Sequence, residues 1–241
     1  MAARALQKRV DRKYLVPQPL IGTVLERLAA DYRVAHAGDV LVGRYETIYF
    51  DTADRQLFDD HRRGRRPRYK VRLRHHCDRR LTFVEVKQKG GCTSKARLEM
   101  PFSGGVADTE TPAMPWQTTL AGRARQFVDE HCPIPADRLM PLVWVTFWRL
   151  TLVGDGIHER LTFDWNIEFG DRDTTERLPG LVIAEVKQAG FTNSSPAIEA
   201  FGCLDLRERS LSKYCLATLR LASARAHSFR TGLQAAERLT A

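Results

Sequence analysis

Residues 68–74 read RYKVRLR, which places a cation at every second position. Successive side chains of a β-strand point to opposite faces, so one face carries four positive charges and the other carries Tyr69, Val71 and Leu73. A half-buried strand whose polar side faces water is the common explanation of such alternation. A solvated face normally mixes charge signs, however, and residues 62–76 contain no acid. The one-signed row therefore favours a strand that faces a polyanion.

Later stretches repeat the pattern. Residues 83–89 read FVEVKQK, which places Glu85, Lys87 and Lys89 on one face of a strand. The tetrapeptide EVKQ at residues 85–88 returns at residues 185–188, and each copy follows an arginine-bearing strand. A four-residue match arises by chance or from β-propensity alone about as often as not. The shared arrangement nevertheless indicates two pseudo-symmetric halves.

The composition indicates a globular protein with an anionic partner. The 241 residues are 43% hydrophobic, which is enough for a sizeable core, and 38 Lys and Arg against 29 Asp and Glu give a net charge of +9. That charge suits nucleic acid, a membrane surface or a phosphate-rich small molecule and does not choose among them. Five cysteines without a CxxC pair argue against a disulfide framework or a zinc site. With no secretory signal and no apolar run that spans a bilayer, we expect reduced thiols in the cytoplasm.

The alternation of apolar residues predicts eight strands and three helical regions. The strands are expected at residues 6–16, 45–50, 67–76, 80–89, 95–102, 141–153, 157–169 and 181–188. Residues 154–156 read GDG and predict a hairpin that brings Arg149 near Arg160. Helices are expected after Pro19, over about 116–131 and from 195 to about 224, with an exposed arginine-rich loop at 62–66. Because residues 104–115 make only a short linker, we expect one domain over 1–241, with a core of about 7–222 and a tail of about 227–241.

Eight antiparallel strands predict an α+β protein built on a β-barrel, in which one face of every strand lines the interior. The cationic faces then point either inward or outward. Pointing inward, they converge on a lumen, where like charges ~4 Å apart repel by about 4 kcal/mol at an effective dielectric of ~20. An inward arrangement therefore requires a wet tunnel or a bound anion.

Seven fragments, in order, resemble the catalytic domain of the vacuolar transporter chaperone (VTC) family, polyphosphate polymerases of the triphosphate tunnel (CYTH-like) superfamily. The resemblance covers about residues 7–222. Its fragments are RVDRKY at 9–14, IYFDT at 48–52, KVRLR at 70–74, FVEVK at 83–87, RLTFD at 160–164, AEVK at 184–187 and SKY at 212–214.

The resemblance implies an eight-stranded antiparallel tunnel with helices packed outside it and the SKY helix near one mouth. It implies that phosphate is bound in the tunnel by Lys13, Arg72, Arg74, Lys87, Arg149, Arg160, Lys187 and Lys213, with Lys70, Lys89 and Ser212 as further substrate contacts. It implies that Glu185 holds Mn²⁺ or Mg²⁺, and that the substrates are ATP and inorganic polyphosphate or triphosphate. Three positions depart from the family pattern: Lys89 replaces an expected histidine, Phe147 a tyrosine and Asp11 a glutamate.

The residues leave simpler explanations open. Glu185 can pair with Lys187 or with a cross-strand arginine, and Lys213 can be a solvated helix lysine. Hydrolytic members of the superfamily resemble a Glu-x-Glu-x-Lys opening strand, whereas residues 9–13 read RVDRK here. Losing a carboxylate handicaps the activation of water, so we expect a polyphosphate polymerase.

Two alternatives remain beside the polymerase. One is a triphosphatase or nucleoside triphosphatase, and the other is a non-catalytic module for polyphosphate or nucleic acid. A tunnel that admits only a thin phosphate chain disfavours nucleic acid. Because eukaryotic relatives carry membrane segments that this sequence lacks, a membrane protein is an expected further partner.

Overall fold

A single antiparallel sheet of ten strands dominates the fold. The computed structural model describes residues 10–36, 40–91, 93–101, 118–190, 192 and 194–222. The strands are β1 (Val10–Pro17), β2 (Tyr32–Val34), β3 (Val42–Asp51), β4 (Arg68–His76), β5 (Leu81–Lys89), β6 (Thr93–Met100), β7 (Met140–Gly154), β8 (Glu159–Gly170), β9 (Thr175–Leu178) and β10 (Leu181–Gln188). The helices are α1 (Ile21–Leu28), α2 (Gln56–Arg62), α3 (Gly122–His131), α4 (Pro196–Cys203) and α5 (Lys213–Ala222). The predicted α+β class is confirmed.

The eight predicted strands are all present and run in the order β1-β10-β8-β7-β3-β4-β5-β6. Two short strands were not predicted, namely β2, which pairs with β7, and β9, which pairs with β8. The turn at 154–156 joins β7 to β8 as expected, but Arg149 lies opposite Asp164 and Arg160 opposite Val153. The predicted segments 6–9, 104–115 and 227–241 lie outside the described residues.

The sheet curls until its two end strands face each other, and across the described residues β1 and β6 do not pair. Lys87 of β5 reaches Asp11 of β1 at 3.3 Å, which shows how close the two ends come. The free edge of β1 is taken by the segment before α5, because Arg209 N–H donates to the Lys13 carbonyl at 2.8 Å. The expected closed barrel is therefore an open one with a seam between β1 and β6.

Helices pack against apolar residues on the outer face of the sheet in two places. The outer face of β4 and β5 packs against α3 through Val71, Leu73, Val84, Val86, Ala124 and Val128. The outer face of β1, β8 and β10 packs against α1 and α4 through Val16, Val24, Leu161, Val186 and Phe201. Removal of this surface from water stabilises the curled sheet.

The inner face changes character along the strands. One part carries the cations, and the other carries apolar residues that α5 covers with Leu216, Ala217 and Leu219. A bulge between β7 and β8, with Asn166 at φ 48°, shifts the alternation so that Ile167 and Phe169 join this apolar part. As the resemblance implies, the start of α5 lies near one mouth of the tunnel, and the helix also covers the inner apolar surface.

The predicted helices differ in extent from those observed. Residues 195–222 contain two helices instead of one, because Asp205 adopts φ 50° and Leu206 N–H bonds back to the Phe201 carbonyl at 2.9 Å, which ends α4. Residues 62–66 are not simply a loop, since Arg62 ends α2. No helix in the described part of the chain has both the length and the apolarity to cross a membrane.

Candidate active site

The cationic part of the inner face encloses a cavity of about 300 Å³ that opens into a wider mouth of about 550 Å³. Nine cations from six strands and one helix line the cavity: Lys13, Lys70, Arg72, Arg74, Lys87, Lys95, Arg149, Lys187 and Lys213. The carboxylates among its lining residues are Asp11 and Glu185. The lining is strongly positive, and the alternation of the strands is what aims so many cations at one space.

Glu85 neutralises part of this charge from the cavity wall. It is 2% exposed, accepts a hydrogen bond from Arg72 Nε at 2.6 Å and pairs with Lys95 of β6. Burial opposes its charge, but the cations around it hold the pKa of Glu85 well below its usual value. Burial lowers the pKa of Arg72, but the charge of Glu85 outweighs that effect and raises it. Glu85 therefore stays ionised and ties β4, β5 and β6 together.

Asp164 plays the same part beneath the opposite wall. The guanidinium of Arg149 binds it through two hydrogen bonds of 2.5 and 2.7 Å, and Lys213 also donates to it. Burial opposes the charged form, yet Arg149 and Lys213 lower the pKa of Asp164 to about 2. The buried carboxylate thereby holds a cation from β7 and one from α5 side by side.

Glu185 and Asp11 are the carboxylates that reach the cavity itself. Lys187 Nζ pairs with Glu185 Oε2 at 2.9 Å, and the Thr162 hydroxyl opposite Glu185 is buried without a hydrogen-bond partner. Burial opposes ionisation of Glu185, but Lys187, Lys13 and Arg149 hold its pKa well below the usual value. Burial lowers the pKa of Lys187 to about 8. A buried polar group without a hydrogen-bond partner, such as the Thr162 hydroxyl, is suited to bind an incoming ligand.

Lys70 lies where the cavity meets its mouth. Its ammonium donates to Ser212 Oγ at 2.8 Å, and Lys13 donates to the neighbouring Leu211 carbonyl at 2.7 Å. Burial lowers the pKa of Lys70 to about 7, and the charges of Lys13 and Lys87 act in the same direction. Because the Ser212 hydroxyl and the Leu211 carbonyl carry no charge, Lys70 and Lys13 remain available to an anion.

Two stacked aromatic rings support the deepest cations. Tyr45 and Phe147 stack with centroids 5.4 Å apart, and the Arg149 guanidinium lies 5.0 Å from the first ring and 5.1 Å from the second. Lys213 Nζ lies 4.6 Å above Phe147. Burial lowers the pKa of the nearby Arg74 to about 10, and its Nε donates to Thr47. The Phe147 departure thus provides an apolar base for cations instead of a hydroxyl.

The structure brings ten of the twelve predicted site residues to this cavity: Lys13, Lys70, Arg72, Arg74, Lys87, Arg149, Glu185, Lys187, Ser212 and Lys213. Lys89 lies at the wider mouth, together with Arg62, Arg63 and Arg68. Arg160 is exposed and lines a separate cavity of about 100 Å³ that it shares with Arg149. Arg62 and Arg63 at the wider mouth are held by Asp59 at 3.1 Å.

Four residues of the site were not singled out from the sequence: Lys95, Tyr49, Glu85 as an ion-pair partner, and Asp164. Lys95 faces Lys87 across β5 and β6, which the two-residue alternation of β6 indicates once the strands are paired. Tyr49 lines the cavity, and its hydroxyl accepts a hydrogen bond from Arg72 Nη1 at 3.4 Å. Burial raises its pKa, but Arg72, Arg74 and Lys213 outweigh that effect and lower it.

Comparison with known proteins identifies the family and the fold. The sequence profile described as the VTC domain matches residues 8–222. A Bacillus halodurans structure named as a candidate adenylate cyclase matches with a TM-score of 0.52 at 12% identity, over 86% of this chain and 96% of that one. A candidate adenylyl cyclase from Hippeastrum, described as having a dominant triphosphatase activity, gives 0.49 at 14% identity over 88% and 96%. A search of curated proteins found no match.

Proposed function

The chain belongs to the VTC domain family, and we propose that it is a polyphosphate polymerase that transfers the terminal phosphoryl group of ATP to a growing polyphosphate chain. In this reaction the bond breaks between the γ-phosphorus and the oxygen that bridges it to the β-phosphorus. A terminal oxygen of polyphosphate forms the new bond to the γ-phosphorus. ADP leaves, and the chain gains one phosphate. The protein resides, in this proposal, in the cytoplasm as one domain.

The convergence of nine cations on one cavity is the observation that carries the proposal. Two polyanions repel each other, so a polymerase must first neutralise both of them and hold the reacting oxygen against the phosphorus. We assign phosphate binding to the predicted cations of the cavity together with Lys95, and an outlying contact to Arg160. Lys70, Lys89 and Ser212 then guide substrate at the wider mouth.

The state of the carboxylates favours transfer over hydrolysis. Glu85, Asp164 and Glu185 all pair with cations and have lowered pKa values, so each is a weak base toward water. A terminal phosphate oxygen already carries negative charge and requires no base. Phosphoryl transfer then depends mainly on position and charge, which this cavity provides.

The donor set fits a divalent cation only together with phosphate. The described residues contain no cluster of three or more His, Cys, Asp and Glu side chains that suits a metal. Mg²⁺ is commonly held by one or two carboxylates with substrate oxygens and water, and Glu185, with Asp11 on the adjacent strand, offers that number. Bound there, Mn²⁺ or Mg²⁺ would neutralise charge on the transferred phosphate. Lys187 must then turn from Glu185 toward phosphate.

The proposal is tested by incubating the purified protein with ATP and Mn²⁺ or Mg²⁺ and measuring ADP and polyphosphate. We expect both products in the wild type and a loss of at least about a hundredfold in Glu185→Gln, because the carboxylate that would hold the metal is gone. Glu176→Gln changes a carboxylate that pairs with Arg220 away from the cavity and should keep full activity. Absence of polyphosphate in the wild type contradicts the proposal.

Two other outcomes identify the alternatives. Release of orthophosphate without polymer indicates a triphosphatase. Tight binding of polyphosphate without ADP formation indicates a binding module, and in that case competition by duplex DNA with a steep salt dependence would indicate a nucleic-acid ligand. The proposal predicts that duplex DNA competes poorly, because a cavity of about 300 Å³ is too small for a double helix.

A further inference from the structure

We propose that Asp51 and Tyr214 are positioning residues: their hydrogen bond fixes the first turn of α5 so that Lys213 stays in the cavity when phosphate binds. The inference rests on the proposed function only in taking phosphate as the ligand. Neither residue lines the cavity, so any effect on phosphate must act through a neighbour.

Asp51 is a buried junction at the end of β3. The side chain is 0% exposed and accepts hydrogen bonds from the backbone N–H groups of Thr52 and Leu57 at 2.8 Å and of Phe58 at 2.9 Å. The Tyr214 hydroxyl donates to the same carboxylate. One carboxylate thereby joins β3, the first turn of α2 and the first turn of α5.

Tyr214 is suited to act as a permanent donor in this junction. It is 1% exposed, and burial together with the charge of Asp51 raises its pKa well above the usual value. Its ring packs against Tyr49 at 5.0 Å and edge-on to Phe58 at 6.4 Å. The hydroxyl therefore stays protonated, and the contacts of the ring leave it few other positions.

Three other polar contacts at the start of α5 involve groups that phosphate would compete for. Lys70 donates to Ser212, Lys13 donates to the Leu211 carbonyl, and Lys213 donates to Asp164. All three lysines line the cavity. A polyphosphate in the cavity draws these ammonium groups toward itself and weakens their contacts with the helix start. The bond from Tyr214 to Asp51 contains no cavity group and persists.

Loss of that bond is expected to reduce phosphate affinity through Lys213. Tyr214→Phe removes a single oxygen and leaves Asp51 with its backbone donors, so the protein should still fold. We expect tripolyphosphate affinity, measured by titration calorimetry without ATP, to fall about tenfold. In a Lys213→Met background the same change should cost less than about twofold, because the residue through which Tyr214 acts is gone.

A matched control separates positioning from general loss of stability. Tyr32 is buried and donates to Glu159 at 2.5 Å on the far side of the sheet, so Tyr32→Phe removes the same kind of bond away from the cavity. It should lower the melting temperature while leaving tripolyphosphate affinity unchanged. Asp51→Asn provides a second test of the same hydrogen bond. The variant that carries both Asp51→Asn and Tyr214→Phe should bind tripolyphosphate no more weakly than the weaker-binding of the two single variants.

The inference is overturned if Tyr214→Phe binds tripolyphosphate as tightly as the wild type. It is equally overturned if Tyr32→Phe loses affinity to the same extent, or if the tenfold loss persists without Lys213. Because binding is measured without nucleotide, a protein that makes no polymer but shows this coupling contradicts the proposed function and supports the inference.

Discussion

Lys70 is one of the cations whose charge should respond to phosphate. With a pKa of about 7 in the free protein, it is roughly nine-tenths neutral at pH 8. Phosphate oxygens favour the ammonium form, so binding of tripolyphosphate at pH 8 should take up close to one proton at this residue. Calorimetry in buffers of different ionisation enthalpy measures that uptake.

Lys70→Arg is the matched variant, since arginine keeps the charge and holds its proton at pH 8. Tripolyphosphate should bind this variant with about one proton less uptake than the wild type. Equal proton uptake in the two proteins would show that Lys70 is already charged in the empty cavity.

Most cations of the site were predictable from the sequence, but Lys95 and the acidic partners Glu85 and Asp164 were not. Alternation alone aims Arg72 and Arg74 at one face, since a strand repeats every two residues. The pairing of Glu85 with Lys95, or of Asp164 with Lys213, depends on strand register and on where α5 lies. A single sequence contains no direct record of either, so Lys95 and Asp164 emerged only from the structure.

Glu85 links strands β4, β5 and β6 through ion pairs in addition to their backbone pairing. Glu85→Gln leaves Arg72 and Lys95 without their counter-charge in a wall that is already cationic. Removal of one partner of a buried pair is strongly destabilising, so we expect a loss of about 3 kcal/mol in the free energy of unfolding. Urea denaturation measures the loss. Added tripolyphosphate should stabilise this variant more than the wild type, because it supplies the missing negative charge.

Glu168→Gln is the control for that experiment. Glu168 pairs with Arg177, whose side chain is 68% exposed, and a pair of this kind contributes at most about 1 kcal/mol. If Glu85→Gln were no less stable than Glu168→Gln, the ionic connection between these strands would have no energetic role.

Short elements explain most of the differences between the predicted and observed secondary structure. Strands β2 and β9 contain three and four residues, too few for alternation to be recognised. Helix α2 follows Arg55, which has φ 61°, and takes its cap from Asp51, five residues before Gln56. The carboxylate that caps α2 lies outside the usual helical capping pattern, so the sequence shows no clear helix start. The arginines at 62–66 therefore suggested a loop.

The curled sheet was predictable as a whole, whereas its open seam and inner helix were not. Eight antiparallel strands with one cationic face favour a tunnel. Whether the edge strands pair depends on what competes for them, and here the segment before α5 hydrogen-bonds to the edge of β1. The inner face of the sheet has a cationic part and an apolar part. Only the folded structure shows that α5 covers the apolar part.

The empty protein should become more stable as the pH rises from about 7 to 9. Lys70 and Lys187 have folded pKa values of about 7 and 8, below the value of about 10.4 for an unfolded lysine, so the unfolded chain binds more protons in this range. Stability rises with pH wherever the unfolded state binds more protons. The melting temperature, measured by calorimetry across this range, should therefore increase, and Lys70→Met should reduce the slope at its lower end. Saturating tripolyphosphate should flatten the curve, because bound phosphate keeps both lysines charged. A melting temperature that falls steadily from pH 7 to 9 without ligand would contradict a cavity strained by its own positive charge.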